Sequence, residues 1–283
     1  MEGRAAAPAA GTVLNALATG RGSAFAIDME VTASVTLDDS AGVTGEVAED
    51  PDADTALIER CVELVAEEFG DGQGGAVRTE SEIPMAAGLK SSSAAANATV
   101  LATLDALGVE NEVTREEAAK LGVRAARETG VTATGAFDDA SASMLGGLTV
   151  TDNRKDALLV RDEVNWDVLV FTPDEKAYSA DADVSRCEQV APVASLVEEL
   201  ALGGRYAEAM NVNGLAFCAA LDHPTDPAVE AFPLAEGASL SGTGPSYVAV
   251  GERTRLEDLR DIWNERTGTT HLTTTRSEGA RTL

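Results

Sequence analysis

Residues 84–100 read PMAAGLKSSSAAANATV. Three consecutive serines stand before an alanine-rich segment, and a lysine sits among small residues. The chain has four lysines, Lys90, Lys120, Lys155 and Lys176, so one placed in a small-residue turn needs a reason. Pro84 lacks an N–H and ends strand pairing. Gly88 permits a tight turn. Ser91, Ser92 and Ser93 then occupy the first turn of a helix, where several backbone N–H groups have no partner inside the helix. Those donors and the positive end of the helix dipole make an anion site. Ala94, Ala95 and Ala96 leave room for a close approach, and Lys90 adds a formal positive charge. A phosphate group suits this arrangement, and so does an ordinary serine cap on an alanine-rich helix. The stretch is not a P-loop, because no Gly-Lys-Ser/Thr follows four residues after a glycine.

Outward from this stretch the pattern is regular. EVTASVTL (30–37) is rich in β-branched residues and predicts a strand. Residues 41–50 predict a hairpin turn with a short return strand. Residues 54–69 place Leu57, Cys61, Leu64, Val65 and Phe69 on one helical face, closed by Gly70. Residues 75–83 alternate as a half-buried strand does. The helix after the serines runs to Leu107 and stops at Gly108. Thr114 and Glu117 predict a capping box for a helix over 115–129. The segment 131–147, VTATGAFDDASASMLGG, predicts a loop leading to a strand at 147–152. The second half predicts a strand at 166–173, helices near 189–202 and 203–221, and strands at 238–242 and 246–250. A helix over 254–266 and a strand at 270–275 follow. This β-α-α-β-β-α-β order resembles a ferredoxin-like sandwich. The composition changes over 153–165, which divides the chain into residues 1–155 and 156–283.

A chain of 283 residues can bury a sizeable core in two domains. No apolar run approaches the ~18 residues of a membrane span. The start, MEGRAAAPAAG, lacks the apolar core of a signal peptide, which predicts a cytoplasmic protein. Cys61, Cys187 and Cys218 are odd in number and set in apolar surroundings, as reduced core thiols are. With His223 and His271 the only histidines, a zinc site is not expected. Forty-eight acids oppose 21 bases, for a net charge of −27. Such a surface repels nucleic acid and anionic membranes, so neither is an expected partner. The same excess suits a protein adapted to high salt, where screening over about 3 Å removes self-repulsion. Oligomeric state has no signature in the sequence.

Four segments together resemble the GHMP kinases, the family of galactokinase and of homoserine, mevalonate and phosphomevalonate kinases. Pro84, Gly88-Leu89, Ser91-Ser92 and Ala94 are similar to the second family motif. TGAFDDASASMLGG (134–147) resembles the catalytic-aspartate segment, SGTGPS (241–246) the glycine-rich third motif, and APAAGTVLNALATGRGSAFAID (7–28) the first. They span nearly the whole chain in the family order. Within the family, GLKSSSAAANA, GAFDDASAS and GRGSAFAID most resemble the archaeal shikimate kinases. The resemblance implies an α+β fold, with a ribosomal-protein-S5-like N-terminal domain and a ferredoxin-like C-terminal domain. It also implies transfer of phosphate from ATP to shikimate, with Mg²⁺.

The resemblance carries roles onto particular residues. Pro84, Ala86, Ala87, Gly88, Leu89, Lys90, Ser91, Ser92, Ser93 and Ala94 correspond to the loop that cradles the nucleotide phosphates. Ser92 corresponds to a Mg²⁺ ligand, and Glu128 falls close to the acidic one. Asp138 corresponds to the catalytic aspartate, and Asp139 stands where relatives usually have asparagine. Thr243 and Gly244 are candidates for contact with nucleotide or substrate. Arg21 is a candidate for a bidentate bond to the shikimate carboxylate, and Asp28 for accepting from a shikimate hydroxyl. One departure stands out. Several relatives carry a lysine after the Ala-Pro of the first motif, whereas Ala7-Pro8 is followed here by Ala9 and Ala10. Lys90, Arg4 or Arg21 is then left to supply the cation. A kinase for homoserine or mevalonate, or a non-catalytic sensor of this fold, are the rival readings. The acid in GAFDDA argues against a homoserine kinase, and the intact phosphate loop against a sensor.

The charge carries a prediction. Lowering KCl from molar to about 0.1 M lengthens the Debye length from about 3 Å to about 10 Å and leaves the charge of −27 unscreened. Unfolding or inactivation is the expected outcome, followed by circular dichroism and melting temperature. An unchanged melting temperature and full activity at low salt would contradict it.

Overall fold

One long strand organises the first half of the molecule. The computed structural model describes residues 1–83, 88–132, 135–174 and 183–283; Pro84, Ala86 and Ala87 of the phosphate loop lie outside them. Strand β2 (Arg21–Asp38) follows β1 (Glu2–Leu14) and pairs with it antiparallel along most of its length. On its other edge β2 changes partner. Residues 31–38 pair with β4 (Gly74–Ser81), and residues 21–25 pair with β5 (Leu148–Asp152). β6 (Ala157–Asp162) extends the sheet from β5, and β11 (Arg281–Thr282) returns from the C-terminal end to pair with Ala5 and Ala6 of β1.

Strand β3 (Val43–Val47) joins β4 in parallel, with α1 (Ala56–Phe69) as the crossover. This corrects the return strand expected at 41–50: the segment does not fold back on β2. A parallel pair needs such a crossover, whereas a tight turn can only join antiparallel strands.

Helix α2 (Ser91–Leu107) packs on β1 and is buried from Ala94 onward along most of its length. Small residues make the approach close. A Cβ built on Gly3 would stand 2.0 Å from the Ala102 carbonyl oxygen. α2 ends at Gly108 in the left-handed conformation, and Thr114 and Glu117 form the capping box of α3 (Arg115–Glu128) as expected. The segment 131–147 is not all loop. Phe137–Leu145 form α4, entered through left-handed Gly135 and Ala136. Asp138 and Asp139 lie in its first turn, where acids favour a helix start.

The second sheet has the order β10-β7-β9-β8, all antiparallel, from β7 (Asp167–Pro173), β8 (Gly237–Leu240), β9 (Tyr247–Gly251) and β10 (Gly268–Thr274). Helices α5 (Ala191–Leu202), α6 (Tyr206–Leu221), a short α7 (Asp226–Ala231) and α8 (Arg253–Trp263) accompany it. The order is that of the ferredoxin-like sandwich. Phe171, Tyr247 and Trp263 meet in its core. Between the sheets, Phe25 of β2 meets Trp166 edge to face at 5.6 Å, and one apolar core runs through both. The chain passes from the first sheet to the second after Asp162, within the stretch where the composition changes. Among the described residues no helix is long and apolar enough to cross a membrane.

Candidate active site

A cavity of about 700 Å³ opens between the start of α2, the α3 face, the start of α4 and the loop after β8. The start of α2 borders the cavity. Lys90 holds the N-cap position in the left-handed conformation, φ 65°, and no side chain caps the helix. Among the described residues, no side chain therefore competes for the first-turn N–H groups. Ser91, Ser92 and Ser93 all line the cavity, with Ser92 exposed.

The loop before α2 is seated on the loop after β8. Ser241 Oγ donates to the Gly88 carbonyl at 2.8 Å. A Cβ on Gly88, where φ is +71°, would come within 2.6 Å of the Ser241 and Gly244 carbonyl oxygens. The end of β1 supports the same loop. The Gly242 N–H donates to Thr12 Oγ1 at 2.9 Å, and Asn15 Nδ2 donates to the Gly242 carbonyl at 2.7 Å. Thr243 borders the cavity, with its carbonyl 2.8 Å from His223 Nε2. Leu89 is buried, and its carbonyl accepts from the Ala10 N–H.

Two carboxylates face the cavity from α4. Asp138 is 5% exposed and Asp139 8%. Lys90 Nζ lies 3.0 Å from each Asp139 oxygen, aligned for a hydrogen bond only with Oδ2, so Oδ1 has no hydrogen-bond donor. Burial, and then the neighbouring Asp138, push the Asp139 carboxyl up to about 7. Lys90 opposes this without cancelling it. Asp138 is seated differently, with Oδ1 on the Asn153 amide at 2.7 Å and Oδ2 against Gly22.

Thus segments far apart in the chain converge on an open helix start, a buried ammonium and two buried acids. The family model for the GHMP kinases N terminal domain matches residues 56–147. A shikimate kinase of Halobacterium salinarum is 66% identical over 283 residues, covering both chains completely. One of Methanosarcina mazei is 52% identical over 265 residues, covering 93% of this chain and 90% of its own. The chain belongs to the GHMP kinases. Its similarity to the shikimate kinases extends over the full length. A homoserine kinase structure from Cytophaga hutchinsonii superposes with a TM-score of 0.77 at 19% identity, covering 100% of this chain and 97% of its own. That likeness concerns the fold.

Three residues named from the sequence as metal or substrate candidates do not line this cavity. Glu128 pairs with Arg60 at 2.7 Å and Arg124 at 2.8 Å on the outside of the molecule. α3 presents Gly122, Val123 and Ala126 to the cavity, and Glu128 lies about 200° around the helix from Ala126. Arg21 pairs with Asp152 at 3.0 Å and Glu198 at 3.3 Å. Its neighbour Gly22 faces Asp138, and successive strand residues point to opposite faces. Asp28 is exposed, 3.6 Å from Arg276. None of the three lines the cavity. Lys90 is the one cation among the described residues that do. The residues missed in the sequence are Gly22 and Asn153, which hold Asp138 from β2 and from beyond β5. No local pattern marks either.

Gly22 supplies a prediction. A Cβ there would stand 2.3 Å from Asp138 Oδ2, so Gly22→Ala displaces that carboxylate. A shift of ~1 Å at a reacting group costs about 10²-fold. Turnover is expected to fall by that order with nucleotide affinity kept, as steady-state kinetics and nucleotide titration will measure. Unchanged turnover would show that the seat of Asp138 has no part in the chemistry.

Proposed function

We propose that the protein transfers the γ-phosphoryl group of ATP to shikimate, giving ADP and shikimate 3-phosphate. The observation that carries the reading is the Lys90–Asp139 pair beside Asp138 at the uncapped start of α2, in a chain similar along its whole length to shikimate kinases. The loop from Gly88 to Ala94 receives the phosphates through backbone N–H groups. Asp138 accepts the proton of the attacking hydroxyl as its oxygen bonds to the γ-phosphorus and the bond to ADP breaks. Lys90 holds Asp139 and places a positive charge beside the transferred group. It takes the part of the lysine that several relatives carry in the first motif. Thr243 and Gly244 bound the substrate side.

Mg²⁺ suits these residues. Among those lining the cavity, Glu49, Asp50, Asp52, Asp54, Asp138 and Asp139 oppose the single ammonium of Lys90, so a polyanionic nucleotide gains from a divalent partner. The Ser92 hydroxyl, a hard oxygen on the open helix start, would hold it together with phosphate oxygens and water. The ion supplies neutralisation of phosphate charge. We assign the phosphate loop and the acids to the unit of the first sheet and the 241–246 loop to the unit of the second, with the boundary after Asp162 and not at residue 155, because β6 pairs with β5. The reaction belongs in the cytoplasm, where ATP is available and thiols such as Cys61, Cys187 and Cys218 stay reduced.

An ADP-release assay in molar KCl, with shikimate, homoserine, mevalonate and galactose side by side, tests the reading. Turnover of shikimate is the expected result, and turnover of another alcohol without shikimate would overturn it. Asp138→Asn keeps the shape and removes the base, so kcat should fall by about 10²–10⁴-fold with ATP binding intact. Equal activity of wild type and variant would remove Asp138 from the chemistry. Ser92→Ala should raise the Mg²⁺ concentration needed for half-maximal rate and leave the helix start intact, because no side chain caps it. An unaltered Mg²⁺ titration would free Ser92 of that role.

A further inference from the structure

Behind Asp138 lies a buried amide that no motif marks. Asn153, just past β5, is 2% exposed. Its Oδ1 accepts from the Asp138 N–H at 3.1 Å and from the Thr151 hydroxyl at 2.7 Å. The Asp138 N–H fixes the amide's orientation, since the reversed amide would set NH₂ against an N–H. Its NH₂ group then donates to Asp138 Oδ1 at 2.7 Å. The main chain of Asn153 is held as firmly. Its N–H donates to the Gly20 carbonyl at 2.9 Å, and its carbonyl accepts from Arg127 Nη2 at 3.1 Å. Arg127 forks onto both oxygens of Asp156, at 2.6 and 2.7 Å.

We propose that Asn153 is a positioning residue that keeps Asp138 ionised and aimed, and so decides which of the two adjacent carboxyls takes the proton of the substrate hydroxyl. This rests on the kinase reading above. An NH₂ group only donates, so its bond favours the carboxylate over the acid. Adjacent buried carboxyls compete for a single negative charge. Asp139, in the same turn of α4, carries the penalty of burial and of its neighbour. The other charged groups near Asp138 are already engaged. Lys90, at the start of α2, is turned onto Asp139. On β2, Gly22 presents no side chain, and Arg21 is turned onto Asp152 and Glu198. On α3, Arg127 is turned onto Asp156 and the Asn153 main chain. Among the described residues, Asn153 is the side chain hydrogen-bonded to the Asp138 carboxylate.

The test is Asn153→Asp, which keeps the size and replaces the donor with a carboxylate oxygen. With shikimate as substrate, kcat should fall about 10- to 100-fold, the range typical of outer-shell partners. The acidic limb of the kcat profile should move to higher pH by about one unit, with nucleotide affinity unchanged. Asn153→Ala removes the donor without adding a charge. It should give the same alkaline shift with a smaller loss of kcat, and it decides the matter if Asn153→Asp does not fold. An unshifted profile in Asn153→Ala, or in folded Asn153→Asp, overturns the proposal. So does a loss of nucleotide affinity in step with kcat, which marks a merely structural role. A wild-type protein that phosphorylates none of the four alcohols overturns the kinase reading and this proposal with it. An active wild type with unshifted variants overturns the proposal alone.

Discussion

The close contact of α2 with β1 is the constraint on which the site depends. Gly3 and the buried alanines of β1 let the helix backbone approach the strand, and most of the helix beyond its first turn is enclosed. Close-packed interiors transmit displacement instead of absorbing it, so a helix held this way cannot pivot. Its first turn, which borders the cavity, is therefore a fixed object. The seat of Gly88 on the loop after β8 extends that fixity to the turn before the helix. Binding a phosphate there requires little rearrangement of the helix, which is what preorganised electrostatic stabilisation demands.

The charge arrangement follows from the same packing. Ala9 and Ala10 are fully buried within β1, so a lysine in that part of the first motif would have to displace core. In the second motif, Lys90 leaves the helix cap and reaches the acid helix. A surface ion pair contributes little, but one removed from water holds its geometry and biases protonation around it. The two acids on one helical turn are thereby made unlike. One is bound to an ammonium and the other to an amide, although they are neighbours in sequence.

What could be read in the sequence was what local chemistry determines. The capping box at Thr114, the stop at Gly108, the amphipathic face of α1 and the serines at the start of α2 depend on neighbours within a few residues. The acid pair was singled out by the resemblance of GAFDDA to a family segment, not by local chemistry. The turn at 135–136 that starts α4 was not, because its small residues, Ala140 to Ser143, carry no clear period. The direction of β3 depends on a partner some 30 residues away. Arg21, Asp28 and Glu128 were plausible by residue type, but a side chain's reach into a site depends on strand parity and helix rotation. Asn153 lies in a polar stretch, TDNRK, and gains its meaning from a strand and a helix that fold against it.

The placement of β11 bears on how the molecule comes to exist in a cell. β1 lies between β2 and β11, so part of the first sheet is closed by residues translated long after their partners. A nascent chain emerging from the ribosome can pair β1 with β2, but one edge at Ala5 and Ala6 stays bare until Arg281 and Thr282 arrive. Exposed strand edges invite pairing with other chains, and domains usually fold as they emerge. Here the first half must wait with an open edge throughout synthesis of the second. Like charge opposes association, and the chain carries a net charge of −27, so pairing of two such open edges meets electrostatic repulsion.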